Sequence, residues 1–367
     1  MKIDIYNHFI PGKYVDALSK HLGKPYPAAE HNPGIVDLDT RFRIMDKYDG
    51  LVQVLSPGGA PLEGIAKPEK AAELSRIAND AMAEVVAKYP DRFLGAVALV
   101  ATNNMDAALR EIERAIEKLH FKGVYLYTPQ YIYKGETDTS TGKGNHTPGA
   151  GGEEETQPKG HTVGKLPEET GPIDTPEIMP LYEKMAGYDL PIWIHPRTTP
   201  AFPDYTSEKR SKYRIWQIFG WPYQTSAAMT RLVFSGIFEK YPNIKIITHH
   251  AGSMVPFFEN RITAQYDYDE ILYDGDMKKG LSRSPIDYFR MFYGDTALNG
   301  NSAALMCAHH FFGAGHLIFG TDMPHDAEMG DLSIRETISS IERMDISDQE
   351  KKMIFEDNAK KLLNLSL

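Results

Sequence analysis

Two hydrophobic patterns alternate along the chain. Short segments of period two or of unbroken apolar character read as strands: 3–11, 51–55, 94–100 and 123–127. Longer segments between them carry a period near 3.6. Residues 68–88 place Ala72, Ile77, Ala78, Ala81, Val85 and Val86 on one side, and Pro90 closes that helix. Residues 104–119 form a second amphipathic helix with Asn104 available as its cap. The alternation resumes with helix 175–187, strand 191–195, helix 223–241 and strand 243–250. Helix 253–266, strand 289–295, helix 302–312, strand 316–322 and helices over 332–343 and 347–364 complete the chain. Residues 12–49 read as loop-rich, with one short helix over 39–47.

Eight strands, each followed by helix or loop, imply a parallel sheet closed into a (β/α)8 TIM barrel, one domain over 1–367. An open doubly wound sheet would carry a glycine-rich fingerprint after its first strand. Here that strand ends in Tyr6-Asn7-His8 and Pro11. The pattern breaks once, over 134–173, where Gly, Thr, Glu, Lys and Pro dominate without hydrophobic period. This polar insertion after strand four has two readings, a surface segment outside the core or a lid over substrate.

Composition narrows the function classes. A hydrophobic content of 42% over 367 residues supports a large core. The single cysteine, Cys307, excludes an internal disulfide and a cysteine-rich metal site. A net charge of −10 with mixed signs argues against a nucleic-acid partner. Apolar runs fall short of the ~20 residues that span a bilayer, and the N-terminal residues lack a signal-peptide layout. A cytoplasmic protein with no membrane partner is the expectation.

The chemistry gathers at the C-terminal ends of the strands, which line one mouth of such a barrel. Those ends carry His8, His195, His250 and Asp322, from strands one, five, six and eight. Singly, each histidine could be a hydrogen-bonded structural residue and Asp322 a cap. Converging on one rim, they form a donor set of imidazole and carboxylate that suits zinc, manganese or iron(II).

These residues lie in Asp4-x-Tyr6-x-His8, His195-Pro196, His250-Ala251-Gly252 with Pro256, and Gly320-Thr321-Asp322-x-Pro324. The set resembles the amidohydrolase superfamily. It is most similar to the decarboxylase-like branch that includes aminocarboxymuconate semialdehyde, resorcylate and carboxyvanillate decarboxylases. The resemblance implies that His8, His195 and Asp322 hold one divalent metal ion, zinc first and manganese as the alternative. It implies that His250 serves as acid/base, and Asp322 takes a proton in a hydrolytic variant. A second metal in the superfamily is bridged by a modified lysine at the end of strand four. That end here is Tyr127-Thr128-Pro129, and Lys122 lies at the opposite end of the strand. The branch carries His-x-His or Glu-x-His where this chain has Tyr6-x-His8. Tyr6 is therefore either a phenol packed at the barrel floor, a fourth ligand, or a substrate-facing donor.

Arg197 and Arg261 are the candidate partners for a substrate carboxylate, since guanidinium matches carboxylate bidentately; surface ion pairs are the alternative. In the branch an arginine like Arg261 sometimes acts across a dimer interface, so a homo-oligomer is expected. Trp193, Trp216, Trp221, Tyr223 and Phe292 suggest an aromatic pocket or ordinary core packing. Asp295 is expected to orient a loop or a histidine, and His325-Asp326 to make a loop hydrogen bond rather than a dyad. Strand alternation points His249 away from the mouth. The resulting expectation is a metal-dependent carbon–carbon lyase that decarboxylates a small unsaturated or aromatic carboxylate. A hydrolase or hydratase of the same fold is the alternative.

Overall fold

In the computed structural model, strand β1 runs as Lys2–Asp4 and resumes as His8–Phe9. Both parts pair with β2, Leu51–Pro57. The structure describes residues 1–27, 32–131, 170–272 and 279–365. β2 pairs with β3, which runs as Phe93–Ala96 and resumes as Ala98–Leu99. From there the sheet continues through β4, Val124–Thr128, β5, Ile192–Pro196, and β6, Ile246–Thr248. It ends with β7, Tyr293–Asp295, and β8, Leu317–Ile318. All these pairings are parallel. The ring closes where the Ile5 N–H donates to the Phe319 carbonyl at 3.0 Å, and the Thr321 and Asp322 N–H groups donate to the Tyr6 carbonyl at 3.1 and 2.9 Å. The expected (β/α)8 barrel is thus formed.

Alternation along each strand sorts the core into two parts. Trp193 joins Tyr6, Tyr125, Ile247 and Ile318 in one cluster, while its neighbours Ile192 and Ile194 pack in the other, with the helices. The helices form where the sequence period predicts. Pro68–Lys88 starts with proline in its first turn and buries Ala71, Leu74, Ala78 and Met82. Met105–Glu117 is capped by Asn104, whose side chain accepts the Ala107 N–H at 3.1 Å.

Several boundaries differ from the sequence reading. Gly12–Leu22 is a helix where loop was expected; it is amphipathic and fully buries Tyr14 and Leu18, with Val15 and Ala17 packed beside them. Strand seven is shorter, because Pro285 opens a helix that runs to Phe289. The helix expected over 223–241 appears as Gly220–Phe234 and Ile237–Lys240, with Gly236 between them at φ 73°. The helix after β6 starts at Glu259. The preceding residues turn instead, with His250, Ala251, Gly252 and Ser253 all at positive φ. Most of the expected 134–173 insertion lies outside the described residues. Its last four lie inside: Thr170–Gly171 pairs antiparallel with Gln130–Tyr131, and Ile173 is buried. Among the described residues, no helix is long and apolar enough to cross a membrane.

Candidate metal centre and active site

The end of β1 is fixed from behind by a buried polar network. Asp4 accepts from the Thr321 hydroxyl at 2.8 Å and from the Gln53 amide at 3.0 Å. Gln53 in turn accepts from the Arg41 guanidinium at 2.8 Å. Arg41 also donates to Asn7 Oδ1 at 3.1 Å and to the His8 carbonyl. Burial pushes the Asp4 carboxyl up to about 6, against those hydrogen bonds, and lowers the Arg41 pKa to about 10. This network ties the ends of β1, β2 and β8 together at the point where His8 enters the mouth.

His8 Nδ1 lies 3.0 Å from the Pro57 carbonyl. A carbonyl only accepts, so Nδ1 carries the proton there and Nε2 presents its lone pair. That lone pair faces Asp322 Oδ1 at 3.0 Å. Two lone pairs so directed repel unless a cation, proton or metal, lies between them. His195, at the end of β5, sets its ring edge-on to His8 with centroids 5.1 Å apart. Its Nδ1 is buried without a hydrogen-bond partner. Burial, then the neighbouring His249 and His8, hold its pKa well below the usual imidazole value.

His249 corrects the sequence reading. Strand β6 ends at Thr248, so the alternation that would have turned His249 away no longer applies, and the ring is buried beneath the cavity beside His8, His195 and Asp322. Its Nδ1 is 2.5 Å from Asp295 Oδ2 and its Nε2 is 3.4 Å from Asp322 Oδ1. The other Asp295 oxygen accepts the Ala251 and Ala297 N–H groups, both at 3.0 Å. Burial opposes charge on His249, but the Asp295 and Asp322 carboxylates prevail and raise its pKa to about 10. Burial likewise opposes charge on Asp322, yet His249 and His8 hold that carboxyl well below its ordinary range. His250 stacks on His249 with centroids 3.8 Å apart and directs Nδ1 to the Ala297 carbonyl at 2.5 Å. Its Nε2 is left as the nitrogen available to the cavity. Burial, then the His249 charge, lower its pKa.

The fit to a metal ion is carried by these donors. Among the described residues, three overlapping groups bring ligand atoms within 4.8 Å of one another: His8, His195 and His249; His8, Asp322 and His325; His249, His250 and Asp322. The expected trio of His8, His195 and Asp322 is divided between the first two groups. His195 Nδ1 is buried without a hydrogen-bond partner, and His8 Nε2 and His249 Nε2, also buried, face Asp322 Oδ1 at 3.0 and 3.4 Å without an aligned hydrogen bond. Buried polar atoms in a folded protein are normally satisfied, and a cation satisfies several lone pairs at once.

A cavity of about 960 Å³ opens over this cluster, lined by His8, His195, Arg197, His250, Asp322 and His325, with Tyr125, Tyr127 and Trp221 among its walls. Arg197 is thus placed as expected, and Arg214 is a second cation on the wall. Arg261 is not: it is exposed on the helix Glu259–Leu272, which buries none of its residues fully, and it lies outside the cavity lining. Tyr6 is also outside the cavity, fully buried, with its hydroxyl donating to the Ile194 carbonyl at 3.0 Å. Burial raises the Tyr6 phenol well above its usual pKa. Of the suggested pocket aromatics, Trp221 lines the cavity, Trp193 and Phe292 belong to the core, and Tyr223 is 61% exposed. Asp326 accepts the Glu328, Gly330 and Ser333 N–H groups and so shapes its own loop. The reading of the sequence missed His249 and His325 as site residues. Their adjacency to His250 and Asp322 was the only available signal.

The chain matches the family model described as amidohydrolase over residues 3–365. It is 26% identical over 345 residues to gamma-resorcylate decarboxylase of Rhodococcus jostii, covering 92% of this chain and 89% of that one. It is 26% identical to 6-methylsalicylic acid decarboxylase of Penicillium expansum, with 89% and 86% covered. A crystal structure of dihydroxybenzoic acid decarboxylase from a Polaromonas species, with bound manganese and the inhibitor 2-nitroresorcinol, superimposes with a TM-score of 0.73 at 26% identity, covering 99% of this chain and 97% of that one.

Proposed function

Because the chain belongs to the amidohydrolase family, we propose that it is a metal-dependent decarboxylase of a small aromatic carboxylic acid. The observation that carries this reading is the meeting of His8, His195, Asp322 and His250 under one cavity with Arg197 on its wall. Similarity over most of both chains to decarboxylases of hydroxylated benzoic acids supports the same substrate class.

His8, His195 and Asp322 would hold one divalent ion. The donor set suits zinc or manganese, and the manganese in the Polaromonas structure favours manganese. A bound divalent ion supplies Lewis acidity to the oxygens of the substrate and draws off electron density as the carbon–carbon bond breaks. Arg197 would hold the carboxylate side of the substrate through its planar fork. Tyr125, Tyr127 and Trp221 offer faces and edges to an aromatic ring. His250 would deliver the proton to the ring carbon that loses CO2. The Ala297 carbonyl fixes its tautomer, and its lowered pKa means that a proton acquired at Nε2 is readily passed on. Exposed apolar side chains on and near the helix Glu259–Leu272, at Phe257, Tyr268, Ile271 and Leu272, support association of copies of the chain.

Turnover of a hydroxybenzoate in D2O tests the assignment. The product should carry one deuterium at the carbon that bore the carboxylate. Product with the carboxyl group intact, or with solvent oxygen added, would point instead to hydration or hydrolysis.

A further inference from the structure

We propose that His249, held by Asp295, is the third imidazole ligand of the metal site and replaces the strand-one ligand that Tyr6 cannot supply. The inference rests on the metal-site reading above and concerns which residues of this chain complete it.

Three observations converge. His249 Nδ1 is held at 2.5 Å by Asp295 Oδ2, whose partner oxygen is held in turn by two backbone N–H groups at 3.0 Å. A carboxylate, a histidine and an open second nitrogen in a row are the arrangement that orients imidazole for a metal. The second nitrogen, Nε2, is fully buried and faces Asp322 Oδ1 at 3.4 Å without forming an aligned hydrogen bond. It shares a ligand-spaced group with His8 and His195, each of which also presents a buried nitrogen without an aligned hydrogen bond.

The spacings agree with a shared ion. Donors held at the ~2.0–2.1 Å bond lengths of a tetrahedral zinc site lie about 3.3 Å from one another. Asp322 Oδ1 lies 3.0 Å from His8 Nε2 and 3.4 Å from His249 Nε2. Tyr6 is turned from this role, since its hydroxyl donates to the Ile194 carbonyl and its ring packs flat against His249. The same stack that removes Tyr6 from the shell sets the plane of the ring that takes its place.

The test uses the full chain loaded with Zn2+ or Mn2+ alone, without substrate. X-ray absorption of the zinc-loaded wild type should count three imidazoles per ion; two would overturn the assignment. His249→Gln should bind Mn2+ at least tenfold more weakly, and Asp295→Asn about 10–100-fold more weakly. Tyr6→Phe should bind like wild type. Wild-type affinity in His249→Gln, or loss of metal in Tyr6→Phe, would contradict the proposal. Should His249→Gln fail to fold, the count in His325→Gln and His250→Gln decides, since these are the other imidazoles in the ligand-spaced groups: three imidazoles retained in both leave His249 as the third, and a loss in either overturns the assignment. A wild type that binds no divalent ion would sink the metal-site reading and this inference together. One that binds through two imidazoles would sink this inference alone.

Discussion

The rings of Tyr6 and His249 lie nearly parallel, with centroids 4.2 Å apart and 16° between their planes. Tyr6 thus serves as the floor on which His249, the proposed third imidazole ligand, rests, anchored by its bond to the Ile194 carbonyl across the barrel. Removing the hydroxyl alone, in Tyr6→Phe, should cost about 1–3 kcal/mol because a buried carbonyl loses its donor. Tyr6→Ala should cost about 3–5 kcal/mol through the cavity it leaves. Denaturant unfolding of the metal-free proteins measures both. Equal stability for the two variants would contradict the floor role.

Acidity acts on the base of the site through Asp4. Its carboxyl is raised from 3.8 to about 6 in the folded chain. Between those values the folded state holds a proton that the unfolded state has lost. The stabilisation is therefore complete below pH 3.8 and is lost as pH rises through about 6. Its full size is on the order of 3 kcal/mol. Chemical denaturation across pH 4–7 should show a wild-type slope that Asp4→Asn flattens. An unchanged slope in the variant would assign the effect elsewhere.

Much of this was legible in the sequence, for identifiable reasons. The segments that lead to His8, His195 and Asp322 carry period-two or unbroken apolar character, and helices such as Pro68–Lys88 carry a long 3.6 period. The barrel and its functional rim follow from those two periods. Alternation failed at His249 because the strand had ended one residue earlier. No period records where a strand stops. The exposure of Arg261 matches the surface alternative read for it, on a helix that the turn through Ser253 delays to Glu259. The helix Gly12–Leu22 carries Tyr14 and Leu18 at helical spacing among polar residues, a signal masked by the glycine- and proline-rich residues that follow it.

Arg197 is the cavity cation placed directly after β5 and its His195. Arg197→Met should raise KM by about 10–100-fold, the equivalent of about 1.5–3 kcal/mol for hydrogen bonds to a charged group. The metal content should stay at the wild-type level. Steady-state kinetics with metal analysis on the same preparation checks both. A fall in kcat with unchanged KM would place Arg197 in the chemical step instead of in binding.

The central claim, metal-dependent decarboxylation, is tested most directly by CO2 stoichiometry. Manganese-loaded protein is incubated with a panel of hydroxylated benzoic acids, and CO2 and aromatic product are measured together. At least one acid should give one CO2 for each product molecule, with activity lost on chelation and restored by the ion. Product formed without CO2, or turnover indifferent to chelation, would contradict the account.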